Sequence, residues 1–167
     1  MKFLLAAALT FACFATAMAQ EPSYTSDDEM ALQQCIEAVN DTNNSKEPTD
    51  TASMHDCIGA ASGLCQDVPG GDSTQGMTAC NQREQAWWDQ YLNSNYADLQ
   101  ASLEPAVFDS LKTAQRAWLK FRDADCAFAD ALWQGGTIRS VMASACMMNA
   151  TATRAVELAN TLNETSH

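Results

Sequence analysis

Apolar side chains along this chain recur at helical spacing, and no segment alternates as a strand would. Leu111, Ala114, Trp118, Phe121 and Cys126 fall at three-to-five-residue steps, which predicts one apolar stripe on a helix running from Pro105 to about Trp133. Met77, Cys80, Glu84, Trp87, Tyr91, Leu92, Tyr96, Leu99 and Leu103 keep the same period and predict a long helix over about 74–103, with Glu104-Pro105 as the break after it. Ser26-Asp27-Asp28-Glu29 has the Ser-x-x-Glu form of a capping box, so a first helix is expected from there to about Asn40. A second is expected from about Thr51 through Cys65. Gly135-Gly136 ends the Pro105 helix, and Thr137 is expected to cap the last one, which runs to about Asn163 through Ile138, Val141, Cys146, Ala155 and Leu158. The fold class predicted is all-α, a small disulfide-stapled bundle of about five helices.

The first residues follow another rule. Lys2 precedes an apolar run from Phe3 to Ala15, and Ala17-Met18-Ala19 has the small-x-small form of a cleavage site. Residues 1–19 therefore read as a secretory signal peptide, too short in its apolar part to span a bilayer. Residues 20–26 are expected to be a mobile tail. Cys13 lies in the apolar run, but Thr10-Phe11-Ala12 before it lacks the leucine of a lipoprotein signal, so a lipid anchor is the lesser expectation. The localisation predicted is export, to the periplasm or outside the cell.

Cleavage would remove one of nine basic residues and none of the twenty-one acidic ones, taking the net charge from −12 to −13. This excludes nucleic acid as a natural partner and favours a basic protein. Cleavage would also leave six cysteines. An even number in an exported chain implies a disulfide framework, with fifteen conceivable pairings. Antiparallel helices joined by a short turn bring together residues equidistant from it. Gly135-Gly136 lies midway between Cys126 and Cys146, and the polar run 41–50 about midway between Cys35 and Cys57. Cys65 and Cys80 then flank the Pro69-Gly70-Gly71 loop, with exchange involving Cys57 as the rival pairing.

No catalytic motif, Gly-rich phosphate loop or zinc-type cysteine spacing is present, so no enzyme activity, metal or cofactor is expected. Asp89 and Arg122 each sit among aromatic positions, and a structural ion pair between their helices is expected. Thr51-x-x-Met54-x-x-Cys57 recurs as Thr74-x-x-Met77-x-x-Cys80, which predicts a duplicated cysteine-tethered helical unit.

Trp88-Asp89-x-x-Leu92-Asn93-x-x-Tyr96, Leu111-Lys112-x-x-Gln115-Arg116-Ala117-Trp118-x-x-Phe121-Arg122-Asp123-x-x-Cys126, Gly135-Gly136-Thr137 and Thr153-Arg154-Ala155-x-x-Leu158 follow in that order. Over about residues 65–162 the chain resembles the LprI-type lysozyme-inhibitor N-terminal domain family. The resemblance implies an exported, helical, disulfide-bonded domain over 66–167. The segment before Cys57 lies outside the shared pattern, and 27–65 is expected on its own residues to be an added helical unit, tied by Cys35 and Cys57 and packed with 66–167 as one domain. The resemblance also implies a non-enzymatic binding protein, an inhibitor of lysozyme-type muramidases. The alternative is a structural or envelope-stress protein with no enzyme target. The candidate inhibitory loops are Pro69, Gly70, Gly71 and Asp72, and Gly135, Gly136 and Thr137 followed by Arg139, each a glycine-rich turn close to cysteines.

Overall fold

The computed structural model describes residues 23–44 and 52–165; the signal peptide expected over 1–19, Cys13, Thr51 and His167 lie outside them. Five α-helices and one short 3-10 turn make up the described chain: α1 Ser26–Asn43, the 3-10 turn Met54–Cys57, α2 Ala60–Gln66, α3 Thr74–Ser102, α4 Pro105–Leu132 and α5 Arg139–Thr165.

Local chemistry moves several predicted boundaries. The capping box of α1 is built one residue earlier than expected. Thr25 is the cap, its hydroxyl accepts the Asp28 N–H, and the Asp28 carboxylate accepts the Thr25 N–H. The helix expected over 51–65 breaks at Gly59, whose φ of 99° only glycine adopts at little cost, so it resolves into the 3-10 turn and α2. The Met54–Cys57 and Thr74–Cys80 segments therefore differ in conformation, and the echo between them is not a duplicated helix. At α5 the first intrahelical carbonyl is that of Ile138, which accepts the Met142 N–H; the cap lies one residue past Thr137.

Among the described residues α3 and α5 form the most extensive helix pair, and they run parallel. Thr78 meets Ser140 (Oγ1–Oγ 3.1 Å), and one turn on the Asn81 amide donates to Ser144 Oγ at 3.1 Å, so the offset stays constant along both helices. α4 returns between them in sequence and is antiparallel to both. Trp88, Leu92 and Leu99 of α3 share one core with Ala152, Ala155, Val156 and Leu158 of α5. The small α5 residues let the helices approach closely enough to enclose Trp88, which has no exposed surface. Leu32 and Val39 of α1, with Cys57 and Ala61, close the same core from the other side. Each of the buried leucine and valine side chains contributes about 1.5–3 kcal/mol on burial.

α4 leans on α5 and little on α3. It is fastened by the Cys126–Cys146 disulfide and by Arg154, whose Nε donates to Gln115 Oε1 at 2.9 Å. Near the α3–α4 turn the Tyr96 and Phe108 rings pack 5.3 Å apart. The expected α4 stripe is split. Leu111, Trp118 and Cys126 turn inward, whereas Ala114 and Phe121 face solvent, Phe121 with 67% of its surface exposed. The inner face is completed by Gln115 and Arg122 instead. The other two bridges are Cys35–Cys57 and Cys65–Cys80. The three close loops of 22, 15 and 20 residues, each contributing about 3 kcal/mol by restricting the unfolded chain.

Candidate functional site

Because α3 and α5 are parallel, the segments that lead into them lie at one end of the bundle. These are the two candidate loops: the α2–α3 connection with Pro69, Gly70, Gly71 and Asp72, and the α4–α5 connection with Gly135, Gly136 and Thr137. Beside the second loop, between the first turns of α3 and the start of α5, is an open depression of about 600 Å³ lined by Thr74, Gln75, Thr78, Gln82, Thr137 and Ser140. Each loop is fixed at its base by a disulfide, Cys65–Cys80 or Cys126–Cys146.

The first loop is held rigidly by its own backbone. The Gly71 N–H donates to Val68 O at 2.9 Å, and the Ser73 hydroxyl donates to Gly70 O at 2.7 Å while accepting the Gly76 N–H at 3.0 Å. Gly71 is buried, and a Cβ there would overlap the Cys65 carbonyl. A Cβ on Gly76 would overlap the carbonyls of Gly70 and Gly71. The loop backbone thus lies directly on the first turn of α3, with no side chain between them. Its outward surface carries Asp67, Val68, Pro69 and Asp72, all exposed.

The second loop is tied differently. Gly135 turns the chain at φ 84°, and the Arg139 guanidinium clasps the Asp130 carboxylate through Nε–Oδ1 (2.6 Å) and a second bond to Oδ2. That hydrogen bond from Arg139 holds the Asp130 carboxyl below, and the partnership holds the guanidinium above, its ordinary titration range. Arg139 therefore braces the α4–α5 corner and is engaged within the chain.

The ion pair expected between Asp89 and Arg122 does not form. Asp89 is exposed and accepts from Asn93 Nδ2 at 3.0 Å. Arg122 bonds its neighbour Asp123 (NH2–Oδ1 2.8 Å) and lays its guanidinium over Trp118, 5.1 Å from the ring centre. The reason is helical geometry. Asp89 follows the buried Trp88 by one residue, about 100° round the helix, which turns it to the exposed side of α3. What the hairpin does form is a groove of about 290 Å³, with Leu92 and Tyr96 facing Trp118, Asp89 and Asn93 on one wall and Lys112 and Arg116 on the other.

Two buried ionic features escaped the sequence reading. Glu84 is wholly buried, and its carboxylate accepts the N–H groups of Gly59 (2.7 Å) and Ser62 (2.6 Å) and the indole N–H of Trp88 (2.9 Å). It caps the start of α2 from another helix. Asp28, 4% exposed, receives Arg83 Nε at 2.8 Å and NH2 at 2.7 Å, while Arg83 NH1 lies 3.3 Å from Cys65 Sγ. A carboxylate on an apolar stripe, four residues before a tryptophan, was the available signal for Glu84.

Among the described residues no cluster of His, Cys, Asp or Glu could hold a metal ion, and no helix is long and apolar enough to cross a membrane. What these observations define is a small helical scaffold, covalently braced, that offers rigid surface loops. The family model described as lysozyme inhibitor LprI matches residues 65–158, from the end of α2 to about three-quarters of the way along α5, and the chain belongs to that family. An uncharacterized protein of Rhizobium meliloti (strain 1021) is 33% identical over 69 residues, which cover 41% of this chain and 49% of that protein. The match thus spans about half the length of this curated relative. No solved structure matches the chain.

Proposed function

We propose that the protein is an exported, non-enzymatic binder that inhibits lysozyme-type muramidases, and that it presents the two-loop end of the bundle to its target. The observation that carries this reading is the family match over 65–158, a span that contains both loops and both disulfides at their bases. The physics supports it. A rigid loop loses little conformational freedom on docking. A net charge of −12, with Asp67 and Asp72 exposed on the first loop, steers association with a basic enzyme. In the same reading residues 27–65 are an added unit that packs with 66–167 as one domain.

The test is a lysozyme turbidity assay with the purified protein at two salt concentrations. Inhibition at micromolar protein in low salt is expected, weaker at high salt as the charges are screened. Asp72→Lys, on the exposed first loop, should lower the inhibition while leaving the helical circular dichroism unchanged. Full lysozyme activity in low salt at micromolar protein would overturn the proposal.

A further inference from the structure

The face of α4 turned away from α3 and α5 is apolar, and among the described residues nothing covers it. Ala114, Ala117, Phe121, Ala124, Phe128 and Ala131 are all exposed, Phe128 by 64%. They follow one another at alternating steps of three and four residues, the spacing of a two-helix coiled-coil seam. A contiguous exposed apolar strip of this kind marks an interaction surface. We propose that this strip pairs with the α4 of a second copy of the chain, antiparallel, about a two-fold axis that passes between Arg122 and Asp123.

Register, charge and size each point to a second copy. In an antiparallel pair, residues equidistant from the axis meet. Phe121 then faces the partner's Ala124, Phe128 faces the partner's Ala117, and Ala131 faces the partner's Ala114. Each ring meets a methyl group, the large-on-small alternation that close packing requires. A parallel pair would set ring on ring and methyl on methyl, with gaps between the bulges.

The charge along α4 is divided in the same sense. Lys112, Arg116 and Lys120 precede the axis, with Asp109 as the one acidic residue among them, and Asp123, Asp125 and Asp130 follow it, while Arg122 is turned to the inner face. Antiparallel pairing lays the basic half of one helix along the acidic half of the other; parallel pairing opposes like charges. With four basic and four acidic residues, α4 is neutral in a chain of net charge −12, so this helix escapes the mutual repulsion of the remaining surface. The area is modest. Four phenylalanine rings and the alanines between them would bury on the order of 1,000 Å² in total, the size of a weak, reversible interface.

Sedimentation equilibrium of the purified, disulfide-bonded protein over about 1–200 μM tests this. The mean mass should rise from one chain towards two. Phe128→Glu and Ala117→Lys, both at exposed positions, should each raise the dimer dissociation constant by about 30-fold or more with unchanged circular dichroism. Mixing the two variants should restore dimers, because positions 117 and 128 meet only in the antiparallel register. A parent that stays monomeric, variants that dimerise like the parent, or a mixture no better than either variant alone would each overturn the proposal.

Discussion

Replacing Glu84 removes the acceptor for three N–H groups at once, two of which belong to the backbone of Gly59 and Ser62 and cannot be redesigned away. A buried donor left unpaired costs about 1–3 kcal/mol. The Ser62 and Trp88 bonds are fully buried and the Gly59 bond partly so, which puts the gross loss for Glu84→Ala at about 4–6 kcal/mol on that scale. The variant no longer buries a carboxylate, which offsets part of this, and a net loss of about 3–4 kcal/mol remains. Glu84→Gln keeps one acceptor oxygen for Gly59 and Trp88 but turns its NH2 group towards the Ser62 N–H, for a loss of about 1–2 kcal/mol. In a chain of this length 1 kcal/mol lowers the melting temperature by about 2–4 °C. Thermal melts should therefore rank parent, Gln variant and Ala variant, with the last about 6–16 °C below the parent. An Ala variant that melts within about 2 °C of the parent would refute the idea that Glu84 holds α2 in place.

Gly76→Ala would ordinarily strengthen an exposed helix by about 1 kcal/mol. Here the added methyl meets backbone carbonyls of Gly70 and Gly71, so the sign should reverse, with a loss of about 1–3 kcal/mol in chemical denaturation. Asp89→Ala, at an exposed position, should change stability by no more than about 0.5 kcal/mol in the same assay. Burial pushes the Tyr91 phenol above its ordinary range, with the Asn95 side chain offsetting this in part. The folded chain therefore holds a proton that the unfolded chain gives up, and stability should fall as pH rises from about 10 upward. Tyr91→Phe should remove that part of the slope.

The helices were legible because a 3.6-residue period survives in any single sequence, and the Cys126–Cys146 and Cys35–Cys57 pairings follow from arms of similar length on either side of a turn, which leaves Cys65 for Cys80. Which stripe of α4 faces inward was not legible. Both of its long faces carry apolar residues, and the buried one includes Gln115 and Arg122. These are tolerated there only because Arg154 comes from α5 to one and the Trp118 ring lies under the other. Phe121 and Phe128 look like core residues and are exposed. Asp89 illustrates a related error, since sequence adjacency to a buried tryptophan places a residue on a different side of a helix. The candidate loops were visible as glycine-rich turns. Their meeting at one end depends on α3 and α5 being parallel, a long-range arrangement that no local pattern encodes.

That arrangement also sets an order of assembly. Two of the three covalent links stand at the bases of the loops, while the core of Trp88, Leu99, Ala155 and Val156 contains neither. A chain with reduced thiols can still gather its helices around that core, yet both loop bases would be released, with about 3 kcal/mol of constraint lost at each. Maturation of the loop end is then a chemical event separate from collapse of the core. It is completed only where thiols are oxidised, and a molecule retained in reducing surroundings would have the helices without a finished surface to offer.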